Sequence, residues 1–123
     1  TLSAINNLAM IYAQQLRSPE NLKKALALTA DLQDAENPAF LDTVGWVFYL
    51  TGDYERALTY VQAAVNKVGS AGELQYHLGM IFLKMGDIEN AKIHLTLAVE
   101  NENARYDGLD IARRSLAELQ AEG

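Results

Sequence analysis

Two stretches of the chain superpose without a gap, and the step between them is 34 residues. Residues 41–54, Leu41-Asp42-Thr43-Val44-Gly45-Trp46-Val47-Phe48-Tyr49-Leu50-Thr51-Gly52-Asp53-Tyr54, align with residues 75–88, Gln75-Tyr76-His77-Leu78-Gly79-Met80-Ile81-Phe82-Leu83-Lys84-Met85-Gly86-Asp87-Ile88. The same step carries Ala57 to Ala91, Val61 to Leu95 and Ala64 to Ala98. A period of this length is one supersecondary unit that buries its apolar face by stacking on its neighbours. Within each unit, apolar residues recur at helical spacing on both sides of a Gly-Asp pair, so each unit reads as two helices joined by a tight turn. Gly45, Gly79, Ala57, Ala91, Ala64 and Ala98 fall where two antiparallel helices come closest, and a larger side chain there forces them apart.

A less regular copy precedes these two, with Ile5, Leu8, Ala9 and Tyr12 in its first helix and Ala25 and Thr29 in its second. Ala9 to Ala25 spans 16 residues where Gly45 to Ala57 spans 12, so four extra residues around 16–20 lengthen the turn and shorten the second helix. Ser18 before Pro19 and Asn37 before Pro38 mark helix starts, and Ser70-Ala71-Gly72-Glu73 reads as a capping box. Gly52 and Gly86 allow the left-handed residue that ends a helix, and Asp53 and Asp87 cap the next one. Beyond Asn103 the register is lost, yet Leu109, Ala112, Leu116 and Leu119 keep a helical stripe with Asp110, Arg113, Arg114, Glu118 and Gln120 on the other side.

The order Leu78-Gly79, Phe82, Ala91, Leu95, Ala98, repeated as Val44-Gly45, Phe48, Ala57, Val61, Ala64, resembles the tetratricopeptide repeat (TPR) family. The resemblance implies an all-α, right-handed TPR solenoid. It makes residues 1–123 one TPR domain, with three helix–turn–helix repeats at about 2–36, 38–71 and 72–103 and a carboxyl-terminal capping helix at about 104–121. Asn6 to Ala9, Asn37-Pro38 with Leu41 to Trp46, Tyr76 to Gly79, and Tyr106-x-Gly108 with Ala112-Arg113, Leu116 and Leu119 are similar to the carboxyl ends of large bacterial multi-TPR proteins. These are the TPR proteins of PEP-CTERM sorting and exopolysaccharide export. That likeness points to the bacterial cell envelope or periplasm, with the cytoplasm as the other compartment. The chain opens on Thr1 with its amphipathic pattern already under way and no polar cap ahead of the first repeat. A longer parent and self-association through that end are the expectations.

Composition narrows the chemistry. The formal charge is −6, and no stretch gathers Lys and Arg, which argues against a nucleic-acid partner. No apolar run is long enough to span a membrane. With 0 cysteines there is neither a thiolate metal site nor a cysteine nucleophile. His77 and His94 lie 17 apart without a third ligand at metal spacing, so no metal is expected. Ser3, Ser18, Ser70 and Ser115 lack a nucleophile elbow, and Gly69-Ser70-Ala71-Gly72 lacks the Lys-Ser or Lys-Thr and the strand of a phosphate loop. Glu100 with Glu102 and Asp107 with Asp110 lack a metal loop or a catalytic frame. The expectation is a protein that is no enzyme and needs no cofactor.

In TPR folds the first helix of each pair lines a concave groove. That resemblance places Asn6, Asn7, Met10, Asp42, Thr43, Trp46, Tyr49, Tyr76, His77, Met80, Leu83 and Lys84 there. Only Lys84 is basic, which disfavours an acidic-tail ligand. Three aromatics and two methionines among amides and hydroxyls suit a peptide or protein segment with apolar anchors, in a scaffold or adaptor role. The competing readings are packing between repeats for Met10 and Leu83, cover by another helix for Trp46, and a structural spacer or self-assembling segment for the whole.

Overall fold

The computed structural model describes residues 1–69, 71–100 and 103–122. Among them are seven α-helices: α1 (Leu2–Met10), α2 (Pro19–Thr29), α3 (Pro38–Leu50), α4 (Tyr54–Val68), α5 (Gly72–Lys84), α6 (Ile88–Val99) and α7 (Leu109–Glu122). They fall into two compact units, residues 1–67 and residues from Val68 onward.

In the first unit α1 runs directly into a single π turn, Ile11–Gln15, whose end is marked by the Leu16 N–H donating to the Ile11 carbonyl at 2.9 Å. The four extra residues are therefore absorbed partly by a widened helical turn and partly by the connection that follows. The Leu16 carbonyl accepts from Asn21 Nδ2 at 2.5 Å, and Ser18 Oγ accepts from the Asn21 N–H at 3.1 Å, which fixes where α2 begins. Ala13, Ala25 and Val47 are fully buried where α1, α2 and α3 meet, packed round by Tyr12, Leu22, Leu26 and Leu50. Small residues at this junction let three helices share one core.

Gly45 and Gly79 sit at closest approaches, as their spacing predicts. A Cβ on Gly45 would lie 2.5 Å from Val61 Cγ2 and 3.0 Å from the Ala57 carbonyl oxygen. On Gly79 it would lie 2.7 Å from Leu95 Cγ. Equivalent glycines thus press α3 on α4 and α5 on α6.

Both pairs turn in the same way. Gly52 (φ 91°) and Gly86 (φ 83°) are left-handed. The N–H groups of Asp53 and Asp87 each donate at 2.9 Å, to the carbonyls of Phe48 and Phe82, while those of Gly52 and Gly86 reach Tyr49 and Leu83 at 3.0 and 3.1 Å. This is the Schellman arrangement, in which the otherwise orphaned last carbonyls of a helix are satisfied. Asp53 Oδ1 then accepts from the Arg56 N–H, and Asp87 Oδ1 from the Asn90 N–H. At Asp87 the Asn90 side-chain amide and then its backbone N–H hold the carboxyl below its ordinary pKa, because both bonds favour the anion.

Two boundaries differ from those read in the sequence. Ala71 is the cap of α5 and makes no side-chain bond to it, and Ser70, the expected capping residue, lies outside the described residues. The last helix starts at Leu109, not near residue 104. Its onset is set by Gly108 (φ 100°), whose carbonyl accepts from the Ala112 N–H at 2.8 Å. Ahead of it, Tyr106 is pinned by its hydroxyl donating to the Ala98 carbonyl at 2.7 Å. Leu109, Ala112, Leu116 and Leu119 are the buried stripe of α7, which packs against α6.

Candidate functional site

The residues assigned to a groove by resemblance lie on α1, α3 and α5, the first helices of the pairs. In the first unit α1 packs on α3. On α1, Asn7 is exposed and Met10 half-buried, while Asn6 has its Oδ1 shielded from solvent with no hydrogen-bond partner among the described residues. On α3, Asp42, Thr43 and Trp46 are buried, and Tyr49 is half-buried. Thr43 spends its hydroxyl on the Ala39 carbonyl at 3.1 Å. Trp46 is only 5% exposed, and its ring stacks on Tyr49 one turn later, centroids 4.3 Å apart and planes 9° from parallel. Tyr54, at the start of α4, meets Tyr49 at 5.7 Å and 53°. The turn therefore builds an aromatic slab with Trp46 inside and the two tyrosines nearer solvent.

The second unit is arranged otherwise. Tyr76 is 5% exposed and His77 1%, whereas Met80 and Leu83 are half-buried and Lys84 is exposed. What covers Tyr76 comes from the far end of the unit. A Cβ on Gly108 would overlap the Tyr76 ring, and the Tyr106 ring lies 6.1 Å from it. Tyr106 in turn seats over Gly72, where a Cβ would come within 2.9 Å of its ring. Burial, and then the nearby Glu73, raises the Tyr106 phenol pKa, so the hydroxyl stays a donor to Ala98. Tyr106-x-Gly108 was visible in the sequence, but nothing there tied it to Tyr76.

His94 of α6 helps hold α5. Its Nδ1 lies 2.6 Å from Gln75 Oε1, and its ring stacks on Phe82 at 5.4 Å and 15°. Burial lowers its pKa below the ordinary 6.5, so the folded state favours the neutral ring. The unfolded chain then takes up this proton first as pH falls. The contribution is present above the unfolded value, declines as pH drops through about 6.5, and stops changing below the depressed folded value. Denaturation midpoints of wild type and His94→Gln are therefore expected to differ more at pH 7.5 than at pH 5. A difference that is constant across that range would show that the ring's protonation is not linked to folding.

Among the described residues no group of three or more His, Asp or Glu side chains is placed to hold a metal ion, and no helix is long and apolar enough to cross a membrane.

A tetratricopeptide repeat model matches residues 72–104, so the chain carries a TPR repeat there. Solved structures that resemble it include TPR-like bacterial chaperones. One is the Yersinia enterocolitica type III secretion translocator chaperone SycD, with a TM-score of 0.78, 18% identity, and cover of 99% of this chain and 85% of that one. A second is SycD in complex with a peptide of the translocator YopD, with a TM-score of 0.77, 17% identity, and cover of 98% and 93%. A third is PcrH in complex with the chaperone binding region of PopD, with a TM-score of 0.75, 20% identity, and cover of 98% and 89%. No curated protein sequence matches the chain. The fold class is thus all-α and TPR-like.

Proposed function

We propose that this chain is a non-catalytic adaptor that takes up a peptide or protein segment with apolar anchors on the inner-helix face of its first unit. The observation that carries the reading is the Trp46, Tyr49 and Tyr54 slab, aromatics with a half-exposed edge, on a helix against which α1 packs with its half-buried Met10 and exposed Asn7. Support comes from two of the structural neighbours, one in complex with a peptide of the translocator YopD and one with the chaperone binding region of PopD. The resemblance of Tyr106-x-Gly108 and the residues after it to bacterial multi-TPR proteins further supports a role within a larger assembly.

Selection from a displayed library of random peptides tests this directly. Selected peptides are expected to carry aromatic or aliphatic anchors and to shift the emission of Trp46, the 1 tryptophan in the chain. Tyr49→Ala should weaken them by about 2 kcal/mol if it is a hot spot, whereas Arg114→Ala on α7 should not. Peptides that bind Tyr49→Ala and wild type equally, with Trp46 emission unmoved, would place the site elsewhere.

A further inference from the structure

α1 and the π turn that continues it carry apolar residues on two sides. Ala9 and Ala13 point into the core and are fully buried. On the other side Ala4, Leu8 and Ile11, at i, i+4 and i+7, form an outward stripe in which Leu8 is 40% and Ile11 37% exposed. Beside the stripe runs a groove of about 360 Å³ between α1 and α2, lined by Leu8, Tyr12, Lys24, Ala27 and Leu28. One patch therefore holds both a ridge and a groove, which is the self-complementarity that a two-fold interface requires.

Charge selects the occupant. The chain carries −6, so two copies repel one another on most faces. From Leu2 through Gln15 there is no Asp, Glu, Lys or Arg, and α1 is the one helix of the seven without any. Interface cores are depleted of charge in just this way. Lys24 Nζ lies over the Tyr12 ring at 5.4 Å, and Glu20 stands one turn earlier on the same face of α2, so the rim of the patch carries both signs of charge.

We infer that the outward face of α1, with the groove beside it, docks a second copy of this chain. The Leu8 and Ile11 ridge of each copy enters the Tyr12, Ala27 and Leu28 groove of the other. The peptide reading above is centred on other residues, Trp46, Tyr49 and Tyr54, so either can fail alone.

Sedimentation equilibrium of the full chain over a wide concentration range reads this out. Wild type is expected to rise from monomer towards twice that mass, and to do so no less in high salt. Leu8→Glu and Ile11→Glu should hold it at monomer mass with helical circular dichroism unchanged. Ile93→Glu, at a more exposed apolar site on α6, should associate like wild type. Because the chain has 0 cysteines, oxidised Leu8→Cys should give a crosslinked pair and Ile93→Cys should not. A monomer at every concentration, or association that survives Leu8→Glu, overturns the inference.

Discussion

Replacing Gly45 with Leu is expected to remove most of the stability of the first unit. Overpacking a filled site costs about 1 to 3 kcal/mol. Here a Cβ alone would lie 2.5 Å from Val61 and 3.0 Å from the Ala57 backbone, so α3 and α4 must separate before the rest of the leucine is placed. The loss should reach the top of that range or pass it. Arg114→Leu, at an exposed position on α7, should change the free energy of urea unfolding by no more than about 0.5 kcal/mol. Gly79→Leu should behave like Gly45→Leu, since Leu95 fills the equivalent place. Equal midpoints for Gly45→Leu and Arg114→Leu would show that the glycines do not mark the helix crossings.

Gly108→Ala is the second large effect, and a matched control separates its two causes. Gly52→Ala also puts a side chain on a left-handed residue (φ 91°) but meets nothing within 4 Å, so it reports the backbone penalty alone, about 1 to 2 kcal/mol. Gly108→Ala adds an overlap with the Tyr76 ring to a φ of 100°. Its cost should exceed that of Gly52→Ala by about 1 kcal/mol or more, as overpacking does. Shrinking Tyr76 to Leu should return part of the difference in the double variant. A Gly108→Ala protein no less stable than Gly52→Ala would mean that the Tyr106 to Gly108 segment does not press on Tyr76.

The sequence was most informative where a residue type answers a local demand. A glycine with a φ near +90°, an aspartate one residue later and a small side chain at a helix crossing each solve a problem posed within about 16 residues, so a fixed 34-residue step exposes them. Gly45, Gly52, Gly79 and Gly86 were legible for that reason. The first pair blurred because a π turn has no residue signature, so its extra residues looked like pure loop. Side-chain availability was the least legible. Helical spacing says which face of α5 bears Tyr76, but whether that face is open depends on Tyr106 and Gly108, some 30 residues away. The same gap separates the list of inner-face residues from their burial. Asp42, Thr43, Trp46, Tyr76 and His77 are enclosed, while Asn7, Met10, Tyr49, Met80 and Lys84 keep some contact with solvent.

The two Schellman stops give the gene a natural seam. Because Gly52-Asp53 and Gly86-Asp87 end α3 and α5 with the same hydrogen bonds, a duplication or deletion of the intervening 34 codons joins one stop to the helix that followed the other. The new junction is a turn the chain already makes. Unequal crossing-over at this place therefore changes the number of helix pairs without requiring a new turn, whereas the same event across residues 11–18 would have to recreate a π turn and a Ser-Pro start together. Length variation among descendants of this sequence should accordingly fall in whole 34-residue steps between Gly52 and Asp87, and the first pair should stay single.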